Sequence, residues 1–244
     1  MINKNIPRIY IKNTFKEKKI IELDGPSKHY LKNVLRLSAG RKVHIFNGSE
    51  GEWTSVVSNQ SNFSIQCINQ IKKQTKNEGP NLYFALIKSI NLRWMIEKAT
   101  ELGVNKINPI ITDHTIVRSL NEKRLTLNIK EASEVSERLN LPHLEKIKTL
   151  EMCLMELKKR RETLVFCNEK RDDIYLHDYL SKNFDKNISF LIGPEGGFSV
   201  REHDLLDTYE NVVSIKLNNR ILRAETASIL ALSTYNLYNI KNCD

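Results

Sequence analysis

The sequence predicts an α/β fold in two parts: a largely parallel sheet with helices, preceded by a small β-barrel. Three observations predict it. Strand-length apolar runs alternate with helical patterns from residue 81 onward, the first 72 residues hold short strands divided by turns, and residues 73 to 80 follow neither period and end in Gly-Pro. The reading is therefore a barrel at 1 to 72, a linker at 73 to 80 and an α/β domain at 81 to 244, in a chain of 244 residues that can bury a sizeable core.

In the front part, strands are predicted at Arg8–Ile11, Lys19–Leu23, Lys42–Phe46, Glu52–Val57 and Phe63–Ile71. Gly40, the pair Asn47-Gly48 and residues Asn59 to Ser61 supply the turns. One helix is expected between the second and third strands, because Tyr30, Leu31, Val34, Leu35 and Leu37 recur near one face. Beyond the linker the pattern predicts strands at Asn81–Ile87, Lys106–Thr112, Thr163–Cys167, Ile188–Ile192 and Val212–Leu217. Helices are predicted at Leu92–Leu102, Glu122–Leu139, Leu150–Arg161, Asp173–Asn183, Ser199–Thr208 and Ala224–Tyr238. The last helix is apolar on more than one face, so both faces require cover, from the core or from a second subunit.

Charge divides the chain unequally. Residues 1 to 72 carry 12 Lys+Arg against 5 Asp+Glu, most of the whole-chain +9, so a polyanionic partner is expected at the front. Cys67, Cys153, Cys167 and Cys243 form no C-x-x-C pair and no disulfide-like spacing, which fits a reducing compartment. The six histidines make no ligand cluster, so no metal is expected. No signal-peptide core and no run of spanning length is present, and the expectation is a cytoplasmic protein away from membranes.

Two loops carry the chemistry. Three of the nine glycines lie between positions 193 and 197, in Gly193-Pro194-Glu195-Gly196-Gly197, immediately after an apolar strand. In an open α/β sheet, ligands bind outside the carboxyl ends of strands. The loop lacks the Gly-Lys-Ser/Thr ending of a phosphate cradle, and Glu195 would repel a phosphate 4 Å away by roughly 1–4 kcal/mol. A neutral or cationic ligand suits it better, such as an adenosine or a sulfonium. Ser199 and Glu202 have the spacing of a capping box and are assigned no chemistry. The second loop presents Asn218-Asn219, residues that tolerate left-handed backbone, and then Arg220 and Arg223 at the start of the last helix. Cations there oppose the helix dipole, which an anionic or hydrogen-bonding substrate would explain; pairing with Glu225 or with carbonyls of the first loop would explain it equally.

At these residues the chain resembles the RsmE family of 16S ribosomal RNA methyltransferases, within the SPOUT superfamily. The resemblance rests on Leu191-Ile-Gly-Pro-Glu-Gly-Gly-Phe-Ser199 with Glu202, and on Leu217 with Arg220-Ile-Leu-Arg-Ala-Glu-Thr-Ala227. Lys98 to Val104, Glu131 to Arg138, Asn33 to Leu37 and Asn47-Gly48 add to it, in register over almost the whole chain. It implies a PUA-like RNA-binding barrel in front, a C-terminal SPOUT domain with a deep trefoil knot, and a homodimer. It implies methylation of N3 of a uridine in 16S ribosomal RNA of the small subunit, with S-adenosylmethionine as cofactor.

Under that resemblance the cofactor is expected on Leu191, Ile192, Gly193, Pro194, Glu195, Gly196 and Gly197, and on Leu217, Asn218, Asn219, Ile221, Leu222 and Thr226. Asn218 stands where the family usually has Gly. Arg223 and Arg220 are expected to stabilise the uridylate charge or grip a flanking phosphate. Arg8, Lys12, Lys32 and Arg36 are the expected phosphate contacts of the barrel. Glu134 and Arg138 either reach the site or form an exposed pair one helical turn apart. A non-catalytic RNA-binding assembly factor, a superfamily enzyme acting on another nucleotide and an enzyme acting on a small nucleotide remain alternatives.

Overall fold

The computed structural model describes residues 6–58, 63–76, 79–169, 173–185 and 187–241. The turn expected at Asn59 to Ser61, and Cys243, lie outside them. The chain divides into two compact units, Met1–Lys76 with Ser133–Leu141, and Asn77–Ala132 with Pro142–Asp244. The segment 133–141 was expected in the C-terminal domain; it groups with the N-terminal unit instead, for reasons that Arg8 supplies.

The N-terminal unit is a five-stranded sheet: β1 (Arg8–Tyr10), β2 (Ile20–Glu22), β3 (Lys42–Phe46), β4 (Glu52–Ser58) and β5 (Ser64–Lys72), in the order β1-β3-β4-β5-β2. Only β1 and β3 run parallel. Alternation along the strands turns Val43, Ile45, Val57, Ile65 and Cys67 into a core closed by Ile9, Ile21 and Leu31. The helix comes earlier than its apolar face implies. Asp24 accepts from Ser27 N as N-cap and Pro26 occupies the first turn, so α1 spans Gly25–His29 and passes into a single π turn, Tyr30–Val34.

The C-terminal unit is built on a seven-stranded parallel sheet. Its strands are β6 (Asn81–Ala85), β7 (Lys106–Ile111), β8 (His143–Leu144), β9 (Lys148–Thr149), β10 (Thr163–Cys167), β11 (Ile188–Ile192) and β12 (Val212–Ile215), in the order β12-β10-β11-β6-β7-β8, with β9 also on β7. Every pairing is parallel, so all carboxyl ends lie at one edge. The helices are α2 (Ser89–Glu101), α3 (Glu122–Val135), α4 (Leu150–Arg160), α5 (Leu176–Asn183), α6 (Val200–Asp207) and α7 (Ala224–Lys241). Helix α4 packs Cys153, Leu154 and Leu157 against Tyr83, Leu164, Phe166 and Leu191 of the sheet. Burial lifts the Cys153 thiol to about 12, so it behaves as a small apolar side chain. Helix α7 buries Tyr235 completely, its ring 6.2 Å from Phe190, and packs along α2, where Ser228 Oγ lies 3.2 Å from Met95 Sδ while donating to Ala224 O at 2.8 Å. No helix among the described residues is long and apolar enough to cross a membrane.

Candidate active site

The carboxyl ends of β10, β11 and β12 open into one cleft, whose walls come from residues 166–169, 192–195 with 197–198, and 217–218 with 220–224, joined by His203 and Ala227. Adjacent parallel strands deliver their exit loops side by side, so residues distant in sequence meet there.

The first wall is the glycine loop. Gly197 N donates to Pro194 O at 2.9 Å, closing a tight turn, and Gly197 holds a φ of +68° that a side chain would strain. A Cβ on Gly193 would stand 2.7 Å from the Phe198 ring. That ring is fixed edge-on against Phe166, centroids 5.0 Å apart, and so defines the cleft floor. Ser199 and Glu202 form the expected capping box, each side chain bonding the other's backbone N–H.

The second wall is the turn into α7. Its two asparagines work differently from expectation: neither has positive φ. Asn218 Oδ1 accepts from Arg220 N at 3.1 Å, which bends the chain by a side-chain turn, and Asn219 Oδ1 accepts from the Tyr175 hydroxyl. Arg220 and Arg223 both line the cleft and are exposed. Among the described residues neither guanidinium has a carboxylate partner, so pairing with Glu225 is not the reason for two cations at this helix start.

The third wall went unnoticed in the sequence. Cys167, Asn168 and Glu169, at the exit of β10, face the same space. Asn168 Nδ2 donates to Ser214 Oγ at 3.1 Å and Ser214 Oγ to Asp173 Oδ2 at 2.7 Å, a chain that fixes the strand exit. Burial pushes the Cys167 thiol up, so it lines the cleft as a neutral group. Glu169 and Glu195 are the exposed carboxylates of the lining. No glycine or spacing marks Cys167 to Glu169; only the pairing of β10 between β11 and β12 brings them in.

Of the expected cofactor residues, Ile192 to Glu195, Gly197, Leu217, Asn218, Ile221 and Leu222 line the cleft. Leu191 is buried in the core, while Gly196, Asn219 and Thr226 fall outside the lining.

The basic residues of the barrel separate into two kinds. Lys12, Lys32 and Arg36 are exposed, Lys32 Nζ lying 5.9 Å over the Phe63 ring and Arg36 holding a left-handed φ of +52°. Arg8 is different and is corrected: its side chain is 8% exposed and its donors are consumed internally. Nε donates to Glu52 Oε1 at 3.0 Å, Nη1 to Ser133 O at 3.0 Å, and Nη2 to Arg138 O. It thereby satisfies carbonyls at the end of α3, where Glu137 at φ +58° and the bond from Arg138 N to Ser133 O form a Schellman turn. Glu134 and Arg138 are not an exposed pair. Glu134 Oε1 accepts from Tyr10 N at 2.9 Å, and Arg138 is sequestered enough that burial lowers its guanidinium to about 10.

Comparison with known proteins agrees with this architecture. Residues 76–236 match the model of an RNA methyltransferase domain and residues 23–66 that of an RNA methyltransferase PUA domain. Fold and family thus define an RNA methyltransferase in which a PUA half-barrel precedes an α/β methyltransferase domain. The chain is 38% identical over 234 residues to the ribosomal RNA small subunit methyltransferase E of Rickettsia conorii, covering 94% of this chain and 95% of that one. The enzyme of that name from Buchnera aphidicola subsp. Schizaphis graminum is 33% identical, covering 95% and 96%. The chain belongs to the RsmE family. The same fold recurs in a crystal structure of a ribosomal RNA small subunit methyltransferase E from Neisseria gonorrhoeae bound to S-adenosyl methionine, with TM-score 0.83, 21% identity and coverage of 96% and 98%.

Proposed function

We propose that the chain transfers a methyl group from S-adenosylmethionine to N3 of a uridine in 16S ribosomal RNA of the small subunit. The observation that carries this reading is the cleft itself: a glycine turn with two nearby carboxylates faces two cations that no described carboxylate neutralises, in a chain that aligns with its family along nearly its whole length. Relatives of known name and two similar folds with the donor bound support it.

The residues present fit that donor. Gly193 and Gly197 line the cleft where a Cβ would strike the Phe198 ring or Glu169, so the bare backbone faces the ligand space, and Glu169 and Glu195 suit a cation better than a phosphate. S-adenosylmethionine supplies an electrophilic methyl on a sulfonium. Gly193 to Glu195 and Leu217 to Leu222 would hold it at the strand ends. A uridine reaching the cleft has left its stack, and its N3 gains negative charge as the proton departs. Arg223 and Arg220 are the groups placed to stabilise that charge, or the adjoining phosphate, before the nitrogen meets the methyl in line.

Lys12, Lys32 and Arg36 supply phosphate contacts of the front unit, beside exposed Tyr30, Val34 and Leu35. A homodimer belongs to this reading and is supported by Leu237 and Ile240, exposed on α7 at 64% and 65%. So do the trefoil knot and a cytoplasmic location, where ribosomal RNA is found.

The test is transfer of labelled methyl from S-adenosylmethionine to 16S RNA, in naked form and in small-subunit particles, with the product nucleoside identified by mass. Labelled N3-methyluridine is the expected product. Absence of label from both substrates, or a different methylated nucleoside, would overturn the assignment.

A further inference from the structure

The turn that leaves β7, residues Thr112 to Thr115, is stitched to the glycine loop by side chains outside the cleft lining. His114 Nδ1 lies 3.0 Å from Gly196 O and 3.1 Å from Gly197 O. Both are carbonyl acceptors, so the ring presents its proton on Nδ1 and shares it between them. Asp113 joins the start of α6, just beyond that loop, twice. Its amide donates to Glu202 Oε1 at 2.8 Å, and its Oδ2 accepts from Ser199 Oγ at 2.6 Å. Arg201 Nη2 donates to Asp113 Oδ1 at 3.1 Å, and Nη1 to Glu151 at 2.9 Å.

The anchor is itself rigid. Thr112 N donates to Thr115 Oγ1 at 2.9 Å and Thr115 N to Thr112 O at 3.1 Å, with both threonines 3% exposed. Contact with the glycines is close: a Cβ on Gly196 would sit 3.2 Å from His114 Cβ. Two adjacent glycines lose more backbone freedom on ordering than any other pair, so a loop built on them binds a ligand well only if something else orders it beforehand.

We infer that His114 is a positioning residue of the methyl-donor site, holding the glycine loop in its binding conformation before the donor arrives. This rests on the reading that the loop receives S-adenosylmethionine. His114 engages the carbonyl oxygens of Gly196 and Gly197, and Gly197 N donates to that of Pro194, so three carbonyls of the loop are held in place without a ligand. Asp113 carries the same constraint to Ser199 and the start of α6.

Geometry makes the test specific. Nδ1 of histidine is attached to Cγ, as is Nδ2 of asparagine, whereas glutamine places its amide nitrogen one atom further out. His114→Asn can therefore restore the donor in place, and His114→Gln cannot. Equilibrium titration with S-adenosylmethionine and amide hydrogen exchange across residues 193–199 are measured for wild type, His114→Ala, His114→Asn and His114→Gln. The expected result is donor binding about five- to tenfold weaker in the Ala and Gln variants, the effect of one lost hydrogen bond, with faster exchange in the loop before any ligand is added. The Asn variant stays within about twofold of wild type. With saturating donor, kcat changes little while KM for the donor rises. Wild-type affinity in His114→Ala, or rescue by Gln as good as by Asn, overturns the positioning role. A wild-type loop whose exchange is unmoved by bound donor overturns the donor-site reading instead, and the inference falls with it.

Discussion

Arg8 Nε donates to Glu52 Oε1 at 3.0 Å, with the two side chains only 8% and 2% exposed. Around this pair stand Phe46, its ring centroid 3.8 Å from the guanidinium carbon, and Lys72, whose Nζ lies 3.3 Å from Glu52 Oε2. Removing one member of a buried pair strands the other. Arg8→Ala is expected to destabilise the N-terminal unit by about 3–5 kcal/mol, read from urea unfolding. The double variant Arg8→Met/Glu52→Gln should recover part of that loss. If Arg8→Ala instead weakened RNA binding with stability intact, Arg8 would be a phosphate contact after all.

Steric closure at Gly193 gives a second expectation. Gly193→Ala presses a methyl against the Phe198 ring, and overpacking of this kind costs about 1–3 kcal/mol. Donor affinity should fall at least tenfold, measured by calorimetry. Adding Phe198→Leu should restore a good part of it, since the obstructing ring edge is gone.

For Arg223 the expectation is kinetic. Arg223→Ala should lower kcat for RNA methylation by about 10²–10³, the size of a lost charge-stabilising donor, with RNA affinity changed less than about threefold. Single-turnover assays and filter binding separate the two. An unchanged kcat would remove Arg223 from the chemistry.

Acid stability follows from carboxylates whose partners hold them below the ordinary range. Hydrogen bonds from Ser199 and then Arg201 act on Asp113, and one from Lys72 acts on Glu137. A lowered folded value means that the unfolded chain takes up protons first as pH falls. The stability these groups add is therefore complete above their ordinary values of 3.8 and 4.5, and is lost below them. The urea midpoint should drop between pH 5.5 and pH 3. In Lys72→Met the drop should be smaller, because Glu137 then loses the partner that lowers it most.

Salt dependence reports the barrel's contacts. If Lys12, Lys32 and Arg36 touch phosphates, each neutral substitution should flatten the plot of log affinity against log salt by about 0.7–0.9. Binding assays from low to moderate salt check this, and an unchanged slope at any one position would mean a merely solvated side chain there.

Legibility in the sequence followed the range of the forces involved. Strands β10 and β11 coincide with their predicted bounds, because Thr163–Cys167 and Ile188–Ile192 are short apolar runs set between turns and buried in a parallel sheet. Two-residue strands such as His143–Leu144 are too short to carry a period. The barrel helix was misplaced because apolar spacing outweighed Asp24 and Pro26, a local start signal that was there to be read. At the site, glycine and arginine announced two walls. Cys167 to Glu169 gave no signal, since only strand order brings them in. Arg8 looked like a surface cation because its partners, Glu52 and the end of α3, lie 44 to 130 residues away.

The grip of Arg8 on the end of α3 also bears on how the molecule is made. Residues 1–76 form one unit with residues 133–141, so the barrel strands leave the ribosome well before the segment that completes them. A nascent chain halted at the linker would hold Arg8 and Glu52 in place with no carbonyls for the remaining guanidinium donors. Maturation of the front unit thus waits until more than half of the polypeptide has been translated, and a fragment cut after residue 76 is an unfinished domain.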